Sequence, residues 1–191
     1  MPSPIDECDP ESIEGANAIA HTDPPDSDTE LTRLVDVATL QRMQDRLAAL
    51  CKTSLVLCRN DGTLITNPSW GGPFVRMLAT SDLGRVAFAN LIRALARDPA
   101  GSVASICFED VTLHTTPIMH DGRRLAIMII GTRPRTKLEP DTIRALADEF
   151  GVDQAALTEA ADSVEPWTPD MRKATYAYAE SFAETIASIY R

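Results

Sequence analysis

Leu34, Val37, Leu40, Met43, Leu47 and Leu50 recur at three- and four-residue steps, which places them on one stripe of a helix. Thr32 or Asp36 can cap its start. Residues 53–58 then read as a short strand, Asn60, Asp61 and Gly62 as a tight turn, and residues 63–66 as the return strand of a hairpin. Two prolines and two adjacent glycines make residues 67–73 a loop. A short helix begins at 74–78, and a longer one over 82–97 is marked by Leu83, Val86, Phe88, Leu91, Ile92 and Leu95; Asp98, Pro99, Ala100 and Gly101 stop it. Extended segments follow at 102–108, 111–118 and 123–132, the last two joined around His120, Asp121 and Gly122. Leu125, Ile127 and Ile129 alternate with Ala126, Met128 and Ile130, so neither face of that strand is polar and it is expected to be covered on both sides. Helices are predicted over 139–150 and 152–161, and a terminal helix with Thr168 as cap, Pro169 at its first position and an apolar face of Met171, Ala174, Tyr178, Phe182, Ile186 and Ile189. The pattern predicts an α+β fold of at least five antiparallel strands with helical cover and a C-terminal helical extension.

Composition refines this picture. The chain has 191 residues, 44% of them hydrophobic, enough for one folded core. Its formal charge of −10 is concentrated: nine of the 28 acids and none of the 18 bases fall in the first 30 residues, leaving 18 bases against 19 acids in the rest. With five prolines and no usable period, residues 1–30 are expected to be a disordered acidic leader, and 31–191 a single domain. Near-neutrality of that domain argues against a direct nucleic-acid partner. Four cysteines without a CxxC, no basic-then-apolar start and no apolar run of membrane-spanning length lead to the expectation of a cytoplasmic protein with reduced thiols and no membrane partner.

No GxSxG, phosphate-loop Lys, HExxH or strand-to-helix GxGxxG occurs, so no enzyme is expected. Cys107 and His114 carry atoms competent to bind zinc or haem, but not at the spacing of a compact metal motif, and no cofactor is expected. Trp70, Phe74, Met77, Phe88 and Met128 can converge beside the sheet on an adaptable apolar cavity, with His114 or Thr116 orienting a polar ligand atom and Cys107 beside them. The same side chains can equally fill a core. Arg76, Arg85, Arg93 and Arg97 read as solvated helix surface, with an anion site or protein contact as the alternative. The stripes holding Leu40, Met43, Leu47 and Leu50, and Tyr178, Phe182, Ile186 and Ile189, offer an interface for a homodimer or a separate output protein, or else complete the core.

A run of fragments in a particular order adds a family likeness: residues 40–47 (LQRMQDRL), Asp61-Gly62-Thr63, Asn67-Pro68-Ser69, Pro73-Phe74-Val75-Arg76, Thr116-Pro117-Ile118 and residues 147–153 (ADEFGVD). In that order, from about Leu34 through Tyr190, the chain resembles the PocR sensory domain, a variant of the PAS-like fold. The resemblance implies a PAS-like five-stranded antiparallel sheet with flanking helices, and a regulatory domain sensing a small molecule, in some members a small hydrocarbon derivative or a diol. Such domains commonly sit beside transcription, phosphorelay, phosphatase or cyclic-nucleotide output modules, none of which fits in this chain, so the message is expected to pass to a partner. Val75 and Val86 stand where family members often carry cysteines, while Cys107 is retained, which disfavours a cysteine-rich metal or redox version. The usual glycine-containing turn is altered around Phe108, Glu109, Asp110 and Val111. The expectation is a non-catalytic intracellular sensor that binds a small, largely apolar organic ligand and signals through helix packing. The alternatives are a ligandless PAS-like interaction or dimerisation module and a metal- or haem-binding sensor.

Overall fold

Of the two candidate caps, Asp36 takes the role. Its carboxylate accepts the Thr39 N–H at 2.9 Å, and helix α1 runs Val37–Cys51. The computed structural model describes residues 31–33, 35–97, 104–105, 112–131 and 133–189. After α1 come β1 (Leu55–Cys58), α2 (Pro73–Thr80), α3 (Asp82–Arg97), β2 (Ala104–Ser105), β3 (Thr112–His120), β4 (Arg123–Gly131), α4 (Pro140–Phe150), α5 (Gln154–Asp162) and α6 (Pro169–Ile189). Local chemistry explains most of the boundaries. Proline occupies the first turn of α2 and of α4, Gly151 closes α4 at φ 62°, and Asp153 caps α5 by accepting the Ala156 N–H at 2.8 Å. The Thr168 hydroxyl accepts the Met171 N–H at 3.2 Å at the start of α6.

The strands form one antiparallel sheet in the order β1-β4-β3-β2. Asp121 and Gly122, both at positive φ, turn β3 into β4, as a two-residue hairpin loop requires. β4 is buried from Leu125 through Gly131, with Ala126, Met128 and Ile130 facing α1 and α6, and Ile127 and Ile129 facing α3. Small residues Ala179 and Ala183 let α6 pack closely on the sheet. A third apolar cluster joins α2, α4 and α5 through Phe74, Leu78, Ile143, Leu146, Phe150 and Leu157.

The expected five-stranded PAS-like sheet is not what forms. Among the described residues only β1, β3 and β4 are strands of four residues or more, and β2 contributes two residues. The expected return strand at 63–66 does run beside β1, but among the described residues it makes one isolated bridge, Cys58 to Leu64, and a second bridge, Leu55 to Ser69, falls in the segment expected to be a loop. Two causes break the ladder. The Leu57 carbonyl accepts both the Ile65 and the Thr66 N–H, a bulge, and the Leu57 N–H is taken by the side chains of Gln44 and Thr66 rather than by a strand. Of the strand expected at 102–108, all but Ala104 and Ser105 lies outside the described residues, as do the leader, Cys107 and the turn at 108–111.

Candidate ligand-binding site

A cavity of about 420 Å³ lies between the sheet and helices α2 and α3, at the end where β1 begins and β4 finishes. Its apolar wall is made by Trp70, Phe74, Leu78, Phe88, Leu91 and Leu113, and the segment Ser163–Glu165, between α5 and α6, closes another side. Trp70 and Phe88 meet with ring centroids 5.2 Å apart and planes tilted by 60°, a favoured aromatic geometry that fixes both rings.

Close backbone contacts shape this wall. A Cβ on Gly71 would sit 2.4 Å from the Thr53 carbonyl carbon, so only glycine lets the loop lie against the start of β1. A Cβ on Gly84 would sit 1.8 Å from the Leu78 carbonyl oxygen, which sets how closely α3 departs from α2. The Ser81 hydroxyl bridges that corner, accepting the Gly84 N–H at 3.0 Å and donating to the Leu78 carbonyl at 2.9 Å. The strand ends are tied together: the Thr53 hydroxyl donates to the Gly131 carbonyl, and the Gly131 N–H donates to the Ser54 carbonyl at 2.8 Å.

The polar part of the wall is Lys52, Arg133 and Glu165, with the hydroxyls of Thr53, Ser54 and Ser163. Glu165 Oε2 receives Lys52 Nζ at 3.2 Å and lies 3.6 Å from Arg133 Nη1. The Lys52 hydrogen bond and charge, with Arg133 adding to them, hold the Glu165 carboxyl below the usual range. Burial pulls the Arg133 pKa down, and Glu165 opposes that pull. The Arg133 guanidinium carbon lies 5.3 Å from the centre of the Trp167 ring, within cation–π range.

The structure brings together Trp70, Phe74 and Phe88 of the expected ligand residues. Met77 lies instead at a more open groove between the α2–α3 corner and Phe150–Asp153. Met128 and Thr116 are buried, Met128 in the core on the α1 and α6 side of the sheet. His114 stacks on Tyr176 of α6, with ring centroids 4.3 Å apart; burial lowers its pKa and Glu180 acts in the opposite sense. Of the expected interface residues, Leu40, Leu47 and Ile186 are buried in the core of this chain, and Met43 and Phe182 pack partly against it. Leu50, Tyr178 and Ile189 remain exposed, Leu50 at 69%. Arg76, Arg85, Arg93 and Arg97 are all exposed on α2 and α3.

Cys51 and Cys58 are buried free thiols, and burial pushes Cys58 up to about 12. Among the described residues no group of three or more His, Cys, Asp or Glu side chains is placed to hold a metal ion, and no helix is long and apolar enough to cross a membrane.

Sequence reasoning missed Lys52, Arg133 and Glu165. They are far apart along the chain and share no motif; the one local signal is an arginine two residues past a wholly buried strand end, directly before Pro134. A family model described as the sensory domain found in PocR matches residues 33–190. No curated protein matches the chain.

Proposed function

The chain belongs to the PocR sensory-domain family, a non-catalytic regulatory class, and from that premise we propose that its cavity binds a small, largely apolar organic molecule whose presence is passed on through the packing of α1 and α6. The observation that carries this reading is the cavity itself. Its 420 Å³ falls within the roughly 300–1,000 Å³ of small-molecule pockets, and its wall combines fixed aromatic rings with a few polar groups, the usual composition of such sites.

The route for a signal follows from what the wall contains. Lys52 ends α1, and Glu165 precedes α6 by four residues, so a guest touches the exit of one helix and the approach to the other. A ligand shifts a conformational balance only by as much as its affinity differs between the two states. Contact with both helix ends supplies such a difference if their positions differ between states. Leu50 on α1 and Met171, Tyr178 and Ile189 on α6 are exposed apolar side chains through which a second copy or a separate output protein would be met.

The test combines gentle native mass spectrometry of the full chain with titration of small alcohols and hydrocarbons, followed by Trp fluorescence. Ala79 lines the cavity from α2, and Ala79→Phe fills space there. Retained or titratable ligand in the native chain, lost in a folded Ala79→Phe variant, is expected. Binding that the variant leaves unchanged would place the ligand elsewhere and overturn the reading.

A further inference from the structure

The cavity wall contains a cation that its surroundings leave under-partnered. The Arg133 side chain is only 12% exposed, and its Nε is fully covered with no hydrogen-bond acceptor. Its carboxylate partner among the described residues is Glu165, at 3.6 Å, beyond a hydrogen bond, through an oxygen already engaged by Lys52. Glu165 is itself 62% exposed, so water weakens its hold. A second donor in the same cluster is also orphaned: Nε1 of Trp167, on the ring beside the guanidinium, has no acceptor. Buried donors without acceptors are costly, and a buried guanidinium more so.

Two cations and one carboxylate thus stand at the polar end of a chamber whose other walls are aromatic and aliphatic. The covered Nε and the Trp167 Nε1 are out of a guest's reach, so what a guest can supply is charge balance for the rest of the guanidinium, and the group that does this is a planar anion. A carboxylate matches the guanidinium fork in geometry and charge, and Trp167 lies within cation–π range of the guanidinium.

We propose that the cavity selects small organic acids, with the apolar body against Trp70, Phe88 and Leu91 and the carboxylate on Arg133 in place of the distant Glu165 contact. This assignment rests on the cavity being the ligand site. Glu165 then acts as an internal competitor: it holds the α5–α6 connection toward Arg133 in the empty state, and a guest acid takes over that contact. The same exchange frees the segment leading into α6.

Matched pairs of probes separate this proposal from the reading beneath it. Benzoate with benzyl alcohol, and pentanoate with 1-pentanol, are titrated into the full chain at pH 7 and fixed ionic strength by calorimetry. Each acid is expected to bind about tenfold or more tightly than its alcohol, the scale of one charge-assisted pair. Arg133→Gln should remove that preference, Arg133→Lys should retain part of it, and Glu165→Gln should raise the acid-to-alcohol ratio. Alcohols binding as well as or better than acids to the native chain, or an acid preference that survives Arg133→Gln, overturns the proposal and leaves the cavity reading in place. Absence of binding by every probe overturns both. If Arg133→Gln does not fold, the native acid-to-alcohol ratio and the Lys variant decide the matter.

Discussion

The side-chain oxygen of Gln44, on α1, accepts the backbone N–H of Leu57, in the middle of β1, at 3.1 Å. A helix side chain thereby occupies a position that a neighbouring strand would otherwise fill. Gln44 is completely buried and fully used: its Nε2 donates to the Asn67 carbonyl and to Ser69 Oγ, both at 2.7 Å, and its Oε1 also accepts from Thr66. This one amide holds the irregular edge of the sheet to α1.

Replacing it should therefore be expensive. Gln44→Ala leaves a buried cavity and takes one of two donors from the Asn67 carbonyl, which keeps Gln41 Nε2 at 3.1 Å, and one of two acceptors from the Leu57 N–H, for an expected loss of about 2–4 kcal/mol. Urea unfolding followed by far-UV circular dichroism measures it. A loss below about 1 kcal/mol would mean that water or Thr66 takes over the bonds.

At the α2–α3 corner, glycine is required by contact. Gly84→Ala places a methyl against the Leu78 carbonyl, and the overpacking penalty of about 1–3 kcal/mol should outweigh the roughly 1 kcal/mol that alanine gains over glycine in a helix. Gly72→Ala is the control, since nothing lies within 4 Å of its added carbon and its backbone is extended. Thermal melts should show Gly84→Ala lower and Gly72→Ala close to native. Equal melts would remove the steric argument.

His114 predicts a pH dependence. Its folded pKa lies below its ordinary value of 6.5 because burial disfavours the charged ring. In the window from about 6.5 down to the folded pKa, the unfolded chain binds more protons than the folded one, so stability falls as pH falls, and above 6.5 the effect vanishes. Glu180 opposes the shift and narrows the window. His114→Phe keeps a ring against Tyr176 and should flatten the melting-temperature slope between pH 5.5 and 7.5. An unaltered slope would assign that dependence to other groups.

Cys58 is expected to be inert in the folded state. Its thiol, pushed up to about 12 by burial and by the nearby Asp61 charge, supplies almost no thiolate at pH 8. Iodoacetamide labelling read by peptide mass spectrometry should modify Cys58 only along the urea unfolding curve. Labelling at low urea would reveal a local opening of β1 that its burial does not lead one to expect.

Most elements could be read from the chain because their causes are local. The Leu40–Leu47 spacing, the Pro169 start and the Asp121-Gly122 turn each act within a few residues, and each element forms. The broken strand beyond Asn60 could not be read that way, since one of its causes is Gln44, in another element. Part of the site was legible for the same reason in reverse. Trp70, Phe74 and Phe88 stand out as aromatics near a glycine-rich loop, whereas Arg133 and Glu165 become neighbours only once the α5–α6 connection folds back. The apolar stripes were legible as stripes, but packing directs Leu40, Leu47 and Ile186 inward, and spacing alone does not distinguish a core from an interface.

The charged corner of the chamber comes from a helix end and two connecting stretches, at positions 52, 133 and 165, while its greasy lining comes mainly from helices and strands. Framework and chemical taste are thus assigned to different parts of the chain. Under the proposed reading of the cavity, exchanging those three side chains would alter which class of compound it admits while the architecture around it is kept.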